Sequence, residues 1–240
     1  FLLLTDLGST TYLNGFDGEN PPRLMQDAID TLIRWQLASK PKVLPPYDHA
    51  LLRREVYLFP DWYVAKHLGA TFTNAQREAF ETVVARLLDS ALAQPKVYVH
   101  RDYMPRNLMI STPNPGVLDF QDAVYGPITY DVASLFRDAF VSWPEQQELD
   151  WVIRYWERAK AAGLPVNRDF SEFWREFEWM GLQRHIKVLG IFARINYRDG
   201  KPHYLKDTPR FIDYARRVAT RYRDRKSTRL NSSHVSESRM

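Results

Sequence analysis

The sequence predicts an α+β fold that is mostly helical and carries a short β-hairpin near its centre. Most of the 240 residues lie in stretches whose apolar positions recur every three or four residues, which is the spacing of amphipathic helices. Between residues 96 and 119 the pattern changes to short β-forming runs separated by turn residues. A further apolar run, Phe1–Leu4, predicts a buried strand.

Composition limits the functions that the chain can have. Hydrophobic residues make up 45% and charged residues 26%, as in ordinary globular proteins. The absence of cysteine excludes disulfides and thiolate metal sites and suits a cytoplasmic enzyme. A net charge of +4 without a basic, aromatic-rich face predicts no nucleic-acid partner, and no apolar run is long enough to predict a membrane partner. The oligomeric state stays open.

Capping residues and prolines mark where the helices begin and end. Asp48 is a candidate N-cap, Thr73 with Gln76 predicts a capping box, and Pro60 is expected to kink or restart the chain. The expected helices are Pro21 to about Ser39, Asp48 to Leu58, Asn74 to Ala93, Pro144 to Ala162, Asp169 to Ile195 and Thr208 to about Arg223, with a shorter one after the Gly126-Pro127 turn.

The long helix from Asp169 to Ile195 has a polar face as well as an apolar one. Gln183, Lys187, Gly190 and Arg194 follow one another at helical spacing. A glycine inside a helix costs ~1 kcal/mol relative to alanine, a cost that the close approach of a ligand would justify. A solvated polar stripe explains the same pattern equally well.

The central stretch, Lys96–Asp122, carries the residues with the clearest chemistry. His100-Arg101-Asp102 follows the β-forming run Val97–Val99, Asn107 follows a tight loop, and Asp119 ends the next β-forming pair of runs. A strand, a loop and a hairpin would bring Asp102, Asn107 and Asp119 together. Mg²⁺ prefers hard oxygen ligands, and a further carboxylate can accept a hydroxyl proton, as in phosphoryl transfer to an alcohol.

Asp and Asn residues in turns often only cap their own backbone. Here the order and spacing resemble the catalytic and metal-binding segments of the protein-kinase-like superfamily, with Asn107 five residues after Asp102 and Asp119 twelve after Asn107. Met104 stands where protein kinases carry lysine, and no A-P-E follows. The stretch Val117–Leu135 resembles the aminoglycoside phosphotransferase family, and within it bacterial kinases that phosphorylate N-acetylmuramate and N-acetylglucosamine at the anomeric hydroxyl.

This resemblance implies ATP and Mg²⁺ as cofactors and an amino sugar as the small-molecule partner. It implies that Asp102 is the catalytic base, that Asn107 and Asp119 hold the metal, and that His100 and Asp131 support the loop. Backbone groups of Thr5 and Leu7 would hold the adenine. The residues expected to contact the acceptor are Asp122, Gln183, Arg184 and Arg194.

The resemblance also implies a division of the chain. Residues 1–8 are expected to be a hinge strand left from an N-terminal lobe, and residues 9–224 the catalytic and acceptor-binding lobe. Residues 225–240 have no apolar periodicity and are expected to be a disordered, non-native tail. The chain contains no phosphate-covering glycine loop and no ATP-orienting lysine motif. A fragment that is inactive by itself is therefore expected.

Three other functions stay open at this stage. An aminoglycoside kinase would be expected to need a carboxylate-lined pocket, because its acceptors are polycations. A choline- or ethanolamine-type kinase would need a cage of aromatic rings, which seven tryptophans leave open. The third is a non-catalytic sugar-binding lobe. Against these alternatives, Arg194 suits N-acetylmuramate as the acceptor, because arginine binds a carboxylate such as its lactyl group through two hydrogen bonds.

Overall fold

The computed structural model describes residues 5–17 and 20–236, with side chains to residue 223. Phe1–Leu4, the apolar run at the start of the expected hinge strand (residues 1–8), lies outside the described residues. The helices are α1 (Tyr12–Gly15), α2 (Pro21–Leu37), α3 (His49–Val56), a π-helix (Phe59–His67), α4 (Asn74–Ala93), α5 (Tyr130–Phe136), α6 (Glu145–Ala161), α7 (Phe170–Asp199) and α8 (Thr208–Ser236), with 3₁₀ turns at Pro105–Asn107, Phe120–Asp122 and Pro202–Asp207. The strands are β1 (Lys96–Val99), β2 (Leu108–Met109), β3 (Gly116–Val117) and β4 (Val124–Pro127).

The helix starts follow the capping signals in the sequence. The side chain of Asp48 accepts a hydrogen bond from the Leu51 backbone N–H (2.8 Å), which begins α3. Thr73 and Gln76 form a reciprocal capping box, with distances of 2.9 and 3.2 Å, at the start of α4. Pro60 lies in the first turn of the π-helix. These local predictions are confirmed.

The strands form two separate antiparallel pairs. In the expected hairpin, β2 pairs with β3 through Leu108 opposite Val117. The second pair, β1 with β4, was not predicted, because Gly126-Pro127 resembles a turn and lies instead at the end of β4. Gly126 has no room for a side chain, since an added Cβ would lie 2.7 Å from the Cβ of Tyr47. The glycine therefore permits a close approach rather than a turn.

The polar face of α7 is not solvated. Gln183 and Lys187 are buried, and α7 packs against the π-helix, α4, α5 and α8. At Gly190 an added Cβ would lie 2.3 Å from the carbonyl carbon of Leu58. The glycine is thus required by the backbone of a neighbouring segment, and both explanations offered from the sequence, a ligand and a solvated stripe, are wrong at this position.

The last helix continues beyond its expected end near Arg223, because α8 runs to Ser236. It includes residues 225–236, for which disorder was expected. After Pro209 this stretch contains neither proline nor glycine, so nothing in the backbone chemistry interrupts the helix. Residues 237–240 lie outside the described part of the chain. No described helix combines the length and the hydropathy needed to cross a membrane.

Candidate active site

Asp131 on α5 anchors the loop that follows β1. Its Oδ2 accepts a hydrogen bond from the backbone N–H of His100 (2.7 Å), and its Oδ1 accepts one from that of Arg101 (3.0 Å). Arg101 has a left-handed backbone with φ of 78°, a conformation that needs such support in a non-glycine residue. Burial raises the pKa of Asp131 to about 7, although the two N–H groups favour its ionised form.

The imidazole of His100 ties this loop to the end of the hairpin. Nε2 lies 2.9 Å from the Leu118 carbonyl oxygen, which can only accept, so Nε2 carries the proton. Nδ1 accepts a hydrogen bond from the backbone N–H of Asp102 (3.3 Å). Burial lowers the pKa of His100, which favours the neutral ring. Both nitrogens hold the backbone, an arrangement suited to bracing rather than to proton transfer.

Asp102 has an exposed side chain on a fixed backbone. Its N–H is held by His100, and its carbonyl oxygen accepts a hydrogen bond from Nδ2 of Asn107 (2.9 Å). The side chain lines a cavity of about 290 Å³ that is closed on the other side by α3 and α7. The carboxylate is therefore presented to the cavity from a loop that is anchored at both ends.

Asn107 and Asp119 lie at neighbouring ends of the hairpin. The N–H of Leu118 donates to the Asn107 carbonyl (3.0 Å), which joins the two segments. Nδ2 of Asn107 is used by Asp102, so Oδ1 is the group that can meet a metal. Asp119 is left-handed (φ 67°) and exposed, and its Oδ1 accepts from Nε2 of Gln121 (3.0 Å).

The amide oxygen of Asn107 and the carboxylate of Asp119 are ligands that suit Mg²⁺. The ion commonly takes one or two protein oxygens and fills its remaining positions with water and substrate phosphates. Within the described ranges, no cluster of three or more His, Asp or Glu residues has the geometry to hold a metal ion. An amide oxygen and a carboxylate on one hairpin are a partial set of hard ligands, which nucleotide phosphates would complete.

The segment expected to hold the adenine lies along the same hairpin. The carbonyl of Thr10 accepts a hydrogen bond from the N–H of Ile110 (2.9 Å). A Cβ added to Gly116 in β3 would lie 2.9 Å from Cδ1 of Leu7, so this leucine packs directly on the hairpin. Thr5 is exposed and Leu7 is half-buried. Both residues are thus close in the chain to the segment that pairs with the Asn107–Asp119 hairpin.

The cavity beside Asp102 is rich in positive charge. Its charged lining comprises five cations and three carboxylates, namely Arg54, Arg101, Arg184, Lys187 and Arg194 with Glu55, Asp102 and Asp122. Arg184 is only 2% exposed. Its Nη1, like Nε of Arg101 and Nε of Arg194, is buried without a hydrogen-bond partner within the described part of the chain. The excess of cations along the cavity wall favours an anionic or neutral ligand over a cationic one.

The structure brings most, but not all, of the expected acceptor residues together. Asp122, Arg184 and Arg194 line the cavity, whereas Gln183 is fully buried and does not. Gln183 directly precedes Arg184 and therefore lies on a different face of α7. The expectation that Gln183 contacts the acceptor is thus corrected. Sequence reasoning missed Arg54 and Glu55, because α3 is short and its contact with the Asp102 loop joins residues that are 46 positions apart.

Comparison with known proteins decides the family. The sequence profile of the phosphotransferase enzyme family matches residues 1–168. The chain belongs to this family. The fold agrees, since an ethanolamine kinase from Plasmodium vivax superposes with a TM-score of 0.57 at 12% identity, covering 82% of this chain and 59% of that one. The choline kinase LicA from Streptococcus pneumoniae gives 0.56 at 14% identity, covering 85% and 66%. These likenesses show the protein-kinase-like fold alone.

Relatives of higher identity share one name. The chain is 60% identical to an N-acetylmuramate/N-acetylglucosamine kinase from Pseudomonas putida over 92% of its own length and 65% of that protein. It is 56% identical to a protein of the same name from Neisseria meningitidis serogroup B, over 92% and 68%. This family member thus spans about two thirds of the length of the relatives that it matches.

Proposed function

We propose that the chain is part of an ATP- and Mg²⁺-dependent kinase that phosphorylates the anomeric hydroxyl of N-acetylmuramate and N-acetylglucosamine. The observation that carries this proposal is the position of Asp102, which lines a cation-rich cavity and whose backbone carbonyl is bonded to Asn107, one of the two residues suited to Mg²⁺. The shared name of the relatives supports the same acceptors. Such a kinase would serve the recycling of cell-wall amino sugars, and the lack of cysteine suits a cytoplasmic enzyme.

In the proposed reaction Asp102 accepts the proton of the attacking sugar hydroxyl. A bond forms between that oxygen and the γ-phosphorus, and the bond to the ADP oxygen breaks. Asn107 and Asp119 would hold Mg²⁺, which neutralises charge on the phosphates. Backbone groups of Thr5 and Leu7 are proposed to hold the adenine. The remaining work is positioning, because the Asp102 backbone is fixed by His100 and Asn107.

The charge of the cavity supports an acceptor that is neutral or anionic. Arg184 and Arg194 are proposed to meet the lactyl carboxylate of N-acetylmuramate, since both line the cavity and a guanidinium group can bind a carboxylate through two N–H groups. Asp122 is proposed to accept hydrogen bonds from sugar hydroxyls. Residues 1–8 remain, in this proposal, the hinge to a nucleotide-binding lobe, and residues 9–224 the catalytic lobe.

The alternative acceptors fit less well. A polycationic aminoglycoside would face five cations against three carboxylates. Choline binding requires aromatic rings around the ammonium group, and Tyr130 is the one aromatic residue among those that line the cavity in the described chain. None of the seven tryptophans, all of which lie in the described residues, lines the Asp102 cavity, so they form no aromatic cage there.

An acceptor panel tests the proposal. The chain, and a chimera that adds the part of the Pseudomonas putida protein beyond the match, would be assayed with Mg²⁺-ATP and four acceptors: N-acetylglucosamine, N-acetylmuramate, kanamycin and choline. We expect the chimera to phosphorylate the two amino sugars at C1, as identified by ³¹P NMR. Transfer to kanamycin or choline alone would refute the proposed acceptor. Thermal stabilisation by sugar without any turnover would favour a non-catalytic sugar-binding lobe.

A further inference from the structure

Glu55 on α3 is a buried carboxylate for which the proposed reaction has no use. It is 6% exposed and lines the Asp102 cavity. Oε1 accepts from Nη2 of Arg101 and from Nζ of Lys187 (3.0 Å), while Oε2 accepts from the hydroxyl of Tyr47. Lys187 also donates to the hydroxyl of Tyr130 (2.9 Å). Glu55 thus joins α3, the loop that follows β1 and α7.

The bonding of Glu55 leaves it unsuited to bind a ligand directly. Three donors already occupy its two oxygens, two of them cationic. Burial would raise its pKa, but the charges of Lys187 and Arg101 outweigh burial, so the pKa lies below its usual value and the group is ionised. A carboxylate held in this way acts on its partners rather than on a substrate.

Arg101 is the partner through which Glu55 reaches the reaction centre. Its backbone is left-handed, and its N–H is held by Asp131. Its guanidinium is held by Glu55, and Nη1 also donates to the Asp122 carbonyl (3.4 Å). The residue is therefore fixed at its backbone and at the end of its side chain. Asp102 follows it directly, so the direction of the Asp102 carboxylate depends on both supports.

We propose that Glu55 is a positioning residue that holds Arg101 and thereby fixes the loop that presents Asp102 to the acceptor. This inference rests on the proposed kinase function for its effect on turnover. The loop contact itself does not, and it can be measured without any activity. Nothing in the sequence motif identifies Glu55, because the contact with Arg101 spans 46 residues and three structural elements.

The test compares Glu55→Gln with Glu81→Gln in the chimera. Glu81 also accepts from a tyrosine, Tyr57, and lies 3.6 Å from an arginine, Arg53, but its side chain is 44% exposed and outside the Asp102 cavity. In Glu55→Gln we expect faster hydrogen exchange in the peptide that spans residues 97–108. We also expect kcat to fall by about 10- to 100-fold with the KM values for ATP and sugar within about twofold, since small misplacements reduce turnover strongly. Glu81→Gln should change neither.

A second variant keeps the test valid if Glu55→Gln folds poorly. Arg101→Met removes the other side of the same ion pair from a more exposed position, 21% against 8% for the two side chains. If Glu55 acts through Arg101, this variant shows the same loss of kcat, and the double variant loses less than the product of the two single losses. Unchanged exchange in both single variants, or independent losses, would overturn the inference. An inactive parent chimera would refute the kinase proposal, while the exchange data would still decide the role of Glu55.

Discussion

At the scale of single residues, Asp131 combines deep burial with two backbone N–H partners. Its pKa is raised to about 7, against an ordinary value of 3.8. Between these two values the folded state binds more protons than the unfolded state does, so the contribution of Asp131 to the free energy of unfolding falls as the pH rises from about 4 to 7. The contribution becomes constant about one pH unit above the folded-state pKa, where the carboxyl group is fully ionised in both states.

Asp131→Asn should remove this pH dependence. Urea unfolding at pH 4.5 to 8 would give the difference in unfolding free energy between the parent and the variant. We expect this difference to shrink from low to neutral pH by a few kcal/mol, on the order set by the pKa change. His100 and His185, whose pKa values burial lowers, affect stability in the opposite direction in both proteins and cancel. A difference independent of pH would contradict a raised pKa at Asp131.

Asp119 carries the corresponding prediction for the metal. Its exposed carboxylate is one of two proposed protein ligands, so Asp119→Ala in the chimera should reduce the effect of Mg²⁺ on nucleotide affinity. Calorimetric titration of ATP with and without Mg²⁺ measures this effect, and we expect at least a tenfold loss of affinity with Mg²⁺ present. Asp89→Ala, which alters an exposed carboxylate on α4, is the control. Equal Mg²⁺ dependence in both variants would rule out Asp119 as a ligand.

At the scale of secondary-structure elements, the features that the sequence predicts are those formed by residues close together in the chain. The caps at Asp48 and Thr73 and the β2–β3 hairpin depend on residues a few positions apart, and the sequence displays them directly. The pairing of β1 with β4 and the contact between Glu55 and Arg101 depend on the packing of distant segments. Asp102, Asn107 and Asp119 could be proposed together from the sequence because they lie within one short stretch. The residues of the cavity wall could not, because they come from α3 and α7, which are distant in the chain.

Gly190 shows how a helix is selected by its neighbour. Gly190→Ala gains helix propensity of about 1 kcal/mol but forces a Cβ to 2.3 Å from the Leu58 backbone. Because backbone cannot yield as a flexible side chain does, we expect a net loss of about 1–3 kcal/mol in the free energy of unfolding. Gly181→Ala, on the same helix, meets the Arg137 side chain at 3.2 Å and should cost less. A smaller loss at Gly190 than at Gly181 in urea unfolding would contradict this packing.

At the scale of the whole molecule, the loop that follows β1, α3 and α7 together line a cavity with more cations than carboxylates. Arg194→Ala should therefore raise KM for N-acetylmuramate by about tenfold or more, and for N-acetylglucosamine by much less. Arg198→Ala, four residues further along α7, removes an exposed arginine paired with Asp199 and is the control. Equal losses for both sugars would show that Arg194 does not contact the lactyl carboxylate.

Asp102 itself is the residue on which the proposed reaction depends most. In Asp102→Asn the backbone bonds to His100 and Asn107 are retained, so the loop keeps its shape while the side chain loses its ability to accept a proton. We would measure steady-state phosphorylation of N-acetylglucosamine by the chimera and its variant, with nucleotide affinity determined separately. We expect kcat to fall by about 10² to 10⁴-fold, with ATP affinity within about twofold. Turnover within a few-fold of the parent would contradict the assignment of Asp102 as the base and, with it, the proposed site.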